Sequence, residues 1–132
     1  MLGSVDIVAF VPISNGEKSR AFYEGVLGLK FVSDDGFALV FDANGIMLRA
    51  AKMQTVTPAQ FTVLGWQVAN IEKMVRELTA KGVRFEIFGF FKQDELGIWT
   101  APTGDRIAWF KDPDGNILSV SQHVAAEHFG IT

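Results

Sequence analysis

Parts of this chain repeat at a nearly constant offset, and that constrains its fold more than any other feature. Residues 37–50 shifted by 70 positions fall without a gap on 107–120, so that Asp42, Asn44 and Gly45 land on Asp112, Asp114 and Gly115, and Leu48 on Leu118. Upstream, Gly28-Leu29-Lys30-Phe31 shifted by 54 falls on Gly82-Val83-Arg84-Phe85, whereas Ile13-Ser14-Asn15 needs a shift of 55 to reach Val68-Ala69-Asn70. One single-residue indel near the helix reconciles the two offsets. Matches in the same order along both halves indicate duplication of one structural unit.

Each copy reads as strand, helix and three strands. In the first, an apolar run predicts a strand over 5–11 that Pro12 stops. Ser14, Asn15 and Gly16 form a turn with helix-capping chemistry, and Ser14 and Glu17 have capping-box spacing. Ala21, Phe22, Val26 and Leu27 follow at helical spacing, and Gly28 ends the helix. Strands are expected over 29–33, 37–41 and 46–51, joined by turns at Asp34-Asp35-Gly36 and Asp42-Ala43-Asn44-Gly45. Residues 52–60 read as a linker. The second copy has a strand over 61–68, then an Asn70-capped helix with Ile71, Met74, Val75 and Leu78 on one face and Gly82 at its end. Strands over 83–88, 106–111 and 116–121 follow, with an irregular, ring-rich stretch at 89–104. The tail, 123–132, reads as a short helix or a frayed end. The expected class is α+β: a single domain over 1–132, with βαβββ modules at 5–51 and 61–122. Neither module covers its apolar sheet face alone, so the two are expected to build one concave mixed-sheet cavity with the helices outside.

Composition narrows the function. A net charge of -3, with no basic stripe, argues against a nucleic-acid partner. The absence of cysteine excludes disulfides and thiolate metal sites. No apolar run reaches the ~20 residues of a membrane span. The first ten residues carry Asp6 and no basic cluster, unlike a signal peptide, and a cytoplasmic protein is expected. Twelve Phe and three Trp exceed what a small core needs, and a surplus of rings can line an apolar ligand cavity.

Ser19-x-x-Phe22-Tyr23-x-x-x-Leu27-Gly28-Leu29 resembles the first-helix signature of the vicinal oxygen chelate superfamily, which includes glyoxalase I, extradiol dioxygenases, fosfomycin-resistance enzymes and bleomycin-binding proteins. Trp109-Phe110-Lys111-Asp112-Pro113-Asp114-Gly115-Asn116 resembles its second-module hairpin. The resemblance covers about residues 5–122. In the enzymes of that superfamily a divalent metal is held by His, Glu or Gln from the first and last strands of each module. Carried over, those positions fall near Val8, Arg49, Val63 and Ser119. Valine has no donor atom, arginine is a fixed cation and serine alone is a poor ligand, so no metal or other cofactor is expected. His123 and His128, beyond the last strand, are expected to be solvated. This departure resembles the metal-free bleomycin-binding members, which sequester a ligand. Family members of this length commonly form homodimers, so a homodimer is expected too.

Alternation along strands places Phe10 with Val8, Met47 with Arg49, Gly65 with Val63, and Ile117 and Ser121 with Ser119. Such a surface suits an aromatic or amphipathic ligand. Arg49 is either the anchor for a carboxylate or a partner in a structural ion pair. Trp99, in the ring-rich stretch, is read as a ligand contact at a cavity mouth or as a dimer contact. Candidate ligand-binding residues are thus Phe10, Met47, Arg49, Trp99, Ser119 and Ser121. Phe10 and Met47 taken singly also suit ordinary core. Trp66 and Trp109 are read as core, and Tyr23 as a packed ring with its hydroxyl at the surface. The sequence marks no catalytic group. A metal-independent small-molecule binding protein and an enzyme of the same fold, of lyase, isomerase or dioxygenase type and metal-free or with an atypical metal site, both remain open.

Overall fold

The structure, a computed structural model, describes residues 1–130. Ile131 and Thr132, the end of the expected tail, lie outside the described residues. The described chain divides into two compact units: Met1–Ala59 with Asp112–Asn116, and Gln60–Lys111 with the described residues from Ile117 on.

The first unit holds strands β1 (Val8–Ile13), β2 (Lys30–Asp34), β3 (Ala38–Ala43) and β4 (Ile46–Lys52), in the order β1-β4-β3-β2. β1 runs parallel to β4, and the other pairs are antiparallel. β1 starts at Val8 rather than at residue 5; Val8 pairs with Met47, one residue from the start of β4 at Ile46, so Val5 and Asp6 have no strand residue opposite them. Pro12 lies inside the strand instead of stopping it. β1 is an edge strand, where a residue without an N–H is tolerated. The helix α1 (Gly16–Arg20) is capped by Asn15, whose Oδ1 accepts from the Lys18 N–H at 3.0 Å, and not by a Ser14–Glu17 box. Ser14 instead donates its N–H and hydroxyl to the Asp114 carboxylate.

The helix continues through Ala21–Val26 as a π-turn, with the Leu27 N–H donating to Phe22 C=O at 2.9 Å. A π-turn absorbs one extra residue. It is the indel that separates the offsets of 54 and 55. Gly28 and Gly82, with φ of 78° and 95°, end the helices of the two copies.

The second unit holds β5 (Leu64–Gln67), α2 (Ile71–Ala80), β6 (Trp99–Thr100), β7 (Arg106–Lys111) and β8 (Ile117–Gln122), with strand order β5-β8-β7-β6. Asn70 caps α2 as expected, its Oδ1 accepting from the Lys73 N–H at 3.1 Å. Ile71, Val75 and Leu78 form the buried stripe of α2. β5 is shorter than the expected 61–68, because its partner β8 begins only at Ile117.

The expected strand over 83–88 does not form. Phe85 makes an isolated bridge to Phe110, and the Glu86 N–H donates to Trp109 C=O at 2.8 Å. The edge of the sheet then passes to Trp99 and Thr100, opposite Ile107 and Arg106. The Gln93 side chain takes over the missing ladder. Its Oε1 accepts from the Phe88 N–H at 2.7 Å, and its Nε2 donates to Glu86 and Gly97 C=O at 2.9 and 2.8 Å.

The repeat also has one gap that the sequence comparison hides. Val40 pairs with Arg49, and Trp109 pairs with Ser119. The last strands therefore correspond at an offset of 70 and the preceding ones at 69. The extra residue lies in the turn. Asn44 and Gly45, at φ of 53° and 89°, make a tight two-residue loop after Ala43. In the second copy Asp112 N–H donates to Asn116 C=O at 3.1 Å across Pro113, Asp114 and Gly115.

That second turn is part of the first unit's core. Asp112 is 5% exposed, and its Oδ1 accepts from the Asp114 and Asn116 N–H groups, both at 2.9 Å. Its Oδ2 accepts from Tyr23 Oη at 2.7 Å and Asn116 Nδ2 at 2.8 Å. Asn116 Nδ2 also donates to Pro12 C=O at 2.8 Å. The Tyr23 hydroxyl is thus buried rather than at the surface. Burial first, and then the Asp112 carboxylate beside it, raise its pKa far above the ordinary value, so it remains a donor.

Candidate functional site

On the first sheet, pairing of Val8 with Met47 and of Phe10 with Arg49 sets these side chains on one face. The opposite face carries Val11, Ile13, Leu48, Ala50 and Phe41, all buried. Val8, Phe10 and Met47 are exposed to 42, 61 and 45%, which makes them surface rather than core. Arg49 Nη2 meets Asp35 Oδ2 at 2.6 Å, so the guanidinium is engaged within its own unit. That bond first, and then the Ala38 and Phe37 N–H groups, lower the Asp35 pKa to about 2.

On the second sheet the corresponding face carries Gly65, Ser119, Ser121, Ile107, Trp109 and Trp99, brought together by the registers Gly65↔Ser119↔Trp109 and Ser121↔Ile107↔Trp99. A Cβ on Gly65 would stand 2.7 Å from Ser119 Oγ, so the backbone of β5 leaves room for that hydroxyl only because residue 65 is glycine. Trp109, although 8% exposed, belongs to this face, and its Nε1 donates to Thr62 Oγ1 at 3.1 Å. The ring-rich loop packs onto it. Phe91 stacks on Trp109 with centroids 5.1 Å apart and planes at 5°, and lies 4.6 Å from Trp99. Phe88 meets Trp109 edge-on at 5.4 Å. Phe90 remains 79% exposed at the tip. Trp66, the other strand tryptophan, is half-buried and stacks on Phe110.

The expected site residues therefore fall into two groups. Phe10, Met47 and Arg49 share a face of the first sheet; Trp99, Ser119 and Ser121 share a face of the second. Sequence reading missed His123, which is not simply solvated. Its Nε2 lies 2.8 Å from Ser121 Oγ and its Nδ1 3.4 Å from Asp105 Oδ2. Asp105 Oδ1 accepts from the Val124 N–H at 2.9 Å; this bond is the largest cause of a lowered Asp105 pKa, with burial opposing it and His123 adding to it. The signal was present in the spacing, since residues 121 and 123 are two apart at a strand end and so share a face.

The positions that the resemblance marks for metal ligands do not fit a divalent ion. Val8 and Val63 offer no donor, Arg49 is a cation already paired, and Ser119 offers one neutral hydroxyl. Among the described residues no three His, Cys, Asp or Glu side chains converge on a point. No described helix is long and apolar enough to cross a membrane.

Comparison of folds finds lactoylglutathione lyase from Agrobacterium tumefaciens at TM-score 0.70 and 17% identity, covering 90% of this chain and 93% of that one. The fosfomycin resistance protein of Listeria monocytogenes aligns at TM-score 0.69 and 12% identity, covering 94% and 97%. A glyoxalase/bleomycin resistance protein/dioxygenase superfamily member from Sphaerobacter thermophilus aligns at TM-score 0.69 and 22% identity, covering 90% and 98%. A search of curated protein sequences found no match. Residues 5–120 match the family model of the glyoxalase/bleomycin resistance protein/dioxygenase superfamily, and the chain belongs to that superfamily.

Proposed function

We propose that this superfamily member binds an aromatic or amphipathic small molecule without a metal, on the ring-lined face of its second sheet. The observation that carries this reading is the joining of Trp99, Trp109 and Phe91 into one aromatic surface beside the Ser119 and Ser121 hydroxyls. Rings supply apolar area with a preferred stacking geometry, and hydroxyls orient a polar substituent. Valine at both first-strand ligand positions supports independence from metal.

Phe10 and Met47 form an apolar patch next to the Arg49–Asp35 pair. They serve either as a second ligand contact, with a carboxylate competing against Asp35 for the guanidinium, or as part of a homodimer surface. The protein acts as a homodimer in this reading, supported by the exposed apolar residues on that face. Light scattering that gives a monomer at every working concentration overturns the dimer.

The direct test of binding is tryptophan fluorescence during titration with a neutral aromatic ligand such as naphthol, before and after chelation. Saturable quenching unchanged by EDTA is expected. Quenching lost on chelation and restored by zinc or manganese overturns the metal-independent reading. An enzyme reading is favoured by one observation only, the contact of Ser121 with His123.

A further inference from the structure

The geometry points to Ser121, His123 and Asp105 as an acyl-transfer site that hydrolyses activated aryl esters on the second sheet. This rests on the reading of that face as the seat of an aromatic ligand.

β8 ends at Gln122, so Ser121 and His123 stand two residues apart at its end, on one face. Arg106 pairs with Gln122, which brings the preceding Asp105 to the level of His123. Asp105 is itself held by the Val124 N–H at 2.9 Å. An ionised Asp105 facing Nδ1 at 3.4 Å favours the tautomer with the proton on that nitrogen. Nε2 is then the acceptor for the Ser121 hydroxyl at 2.8 Å. A nucleophile, a base and a group that orients the base follow in the required order. Ser121 is half-buried, and the His123 side chain is 39% exposed, so a substrate reaches both. Ile107 lies across the ladder from Ser121, with Trp99 beyond it, and these give the aryl group its apolar seat. Gln67 is the register partner of Ser121 on the other side, the nearest strand position from which a carboxamide would serve the developing oxyanion.

In the first step Ser121 Oγ bonds to the ester carbonyl carbon while Nε2 takes the hydroxyl proton. The tetrahedral intermediate collapses, the bond to the aryl oxygen breaks, and Nε2 returns the proton to the departing phenolate. Water then attacks the acyl-serine and loses a proton to Nε2. The bond to Oγ breaks, Ser121 regains its proton, and one ester and one water have become one acid and one phenol.

The test uses the full chain with p-nitrophenyl butyrate and, separately, a fluorophosphonate followed by peptide mass mapping. Turnover and a phosphonyl adduct on Ser121 are expected. Ser121→Ala abolishes the adduct and lowers turnover by about 100-fold or more. His123→Ala does the same, and added imidazole restores part of its turnover, which a merely structural histidine would not permit. Asp105→Asn lowers turnover with its melting transition retained, whereas His128→Ala, outside this cluster, changes nothing. The phenyl ether of the same length, titrated by tryptophan fluorescence, separates the two readings. Binding of the ether without adduct or turnover overturns the hydrolytic site and leaves the binding reading standing; absence of binding, adduct and turnover overturns both. Turnover in Ser121→Ala equal to the parent also overturns the site.

Discussion

Phe10 pairs with Arg49 in the first sheet, and Gly65 pairs with Ser119 in the second; Val40 completes the first row and Trp109 the other. These rows occupy the same register in two copies of one module, yet one is a bulky residue beside a paired cation and the other a cleared space beside a hydroxyl and an indole. The parts that agree between the copies are the asparagine caps, the left-handed glycines after the helices and the hairpin glycines at 45 and 115. Those residues set backbone geometry. A duplicated module thus keeps the chemistry of its turns and caps and diverges on this sheet face.

The largest expected effect comes from the two hairpin turns. Asp112 is buried and accepts from Tyr23, Asp114 and Asn116. Asp42, half-buried in the other turn, accepts from the Gly45 N–H at 2.7 Å. Asp112→Ala leaves a buried phenol and a buried carboxamide short of an acceptor, at about 1–3 kcal/mol each, so a loss of roughly 3 kcal/mol or more is expected. Asp42→Ala loses one turn bond, at about 1 kcal/mol. Urea unfolding measures both. Equal losses would break the distinction between a core turn and a surface turn.

The two sheet faces differ next. Trp99→Ala is expected to weaken a neutral aromatic ligand about tenfold, from lost stacking and buried area of roughly 1.4 kcal/mol. Phe10→Ala should leave the same ligand nearly unaffected if the second sheet alone seats it. A larger effect from Phe10 than from Trp99 would move the site to the first sheet.

A smaller, steric effect isolates Gly65. Gly65→Ala puts its methyl against Ser119 Oγ and should cost about 1 kcal/mol. Replacing Ser119 by glycine in the same chain should recover most of that loss. A double variant as unstable as the single one would mean that the backbone of β5, and not the hydroxyl, resists the methyl.

Local signals in the sequence made most of the frame legible. The Asp-x-Asn-Gly turn, the Asn70 cap and the glycine stops each express a steric rule within a few residues, and all three appear as expected. Of the expected capping turn, Asn15 caps the helix but the Ser14–Glu17 box does not form, because the bonds of Ser14 go to Asp114, a residue one hundred positions away. The strand over 83–88 failed for a similar reason: a period-two pattern does not reveal that the Gln93 side chain will occupy the ladder. The buried Tyr23 hydroxyl and the His123–Asp105 contact likewise depend on partners that only the fold brings near. The ring surface was half legible. Trp99 stands out in its irregular stretch, and Trp109 is buried as expected, at 8% exposure, but its strand gives no sign that the ring-rich loop is what covers it.

The smallest expected effect concerns the charge that the first row has and the second lacks. Arg49 holds Asp35 through a 2.6 Å bond, whereas its counterpart Ser119 carries no charge. The Asp35 pKa falls from 3.8 to about 2, chiefly through Arg49 and then through the Ala38 and Phe37 N–H groups. A carboxyl whose folded-state pKa is depressed contributes stability that is fully present above the unfolded value. That contribution is lost as pH falls from about 3.8 toward about 2. Both partners are partly open to solvent, so the effect on unfolding is small. The clean measurement is therefore an NMR titration of the Asp35 carboxyl. In Arg49→Ala its midpoint should rise from about 2 but stay below 3.8, because the two backbone donors remain. Arg49→Lys should lie between, since lysine keeps the charge and loses the planar fork. If an aromatic sulfonate, which stays ionised where Asp35 titrates, also raises the Asp35 midpoint in the parent protein, it has taken the guanidinium from Asp35, and Arg49 is an anchor as well as an ion-pair partner. An Asp35 midpoint indifferent to that ligand, with the ligand bound, confines Arg49 to the ion pair and leaves ligand recognition to the second sheet.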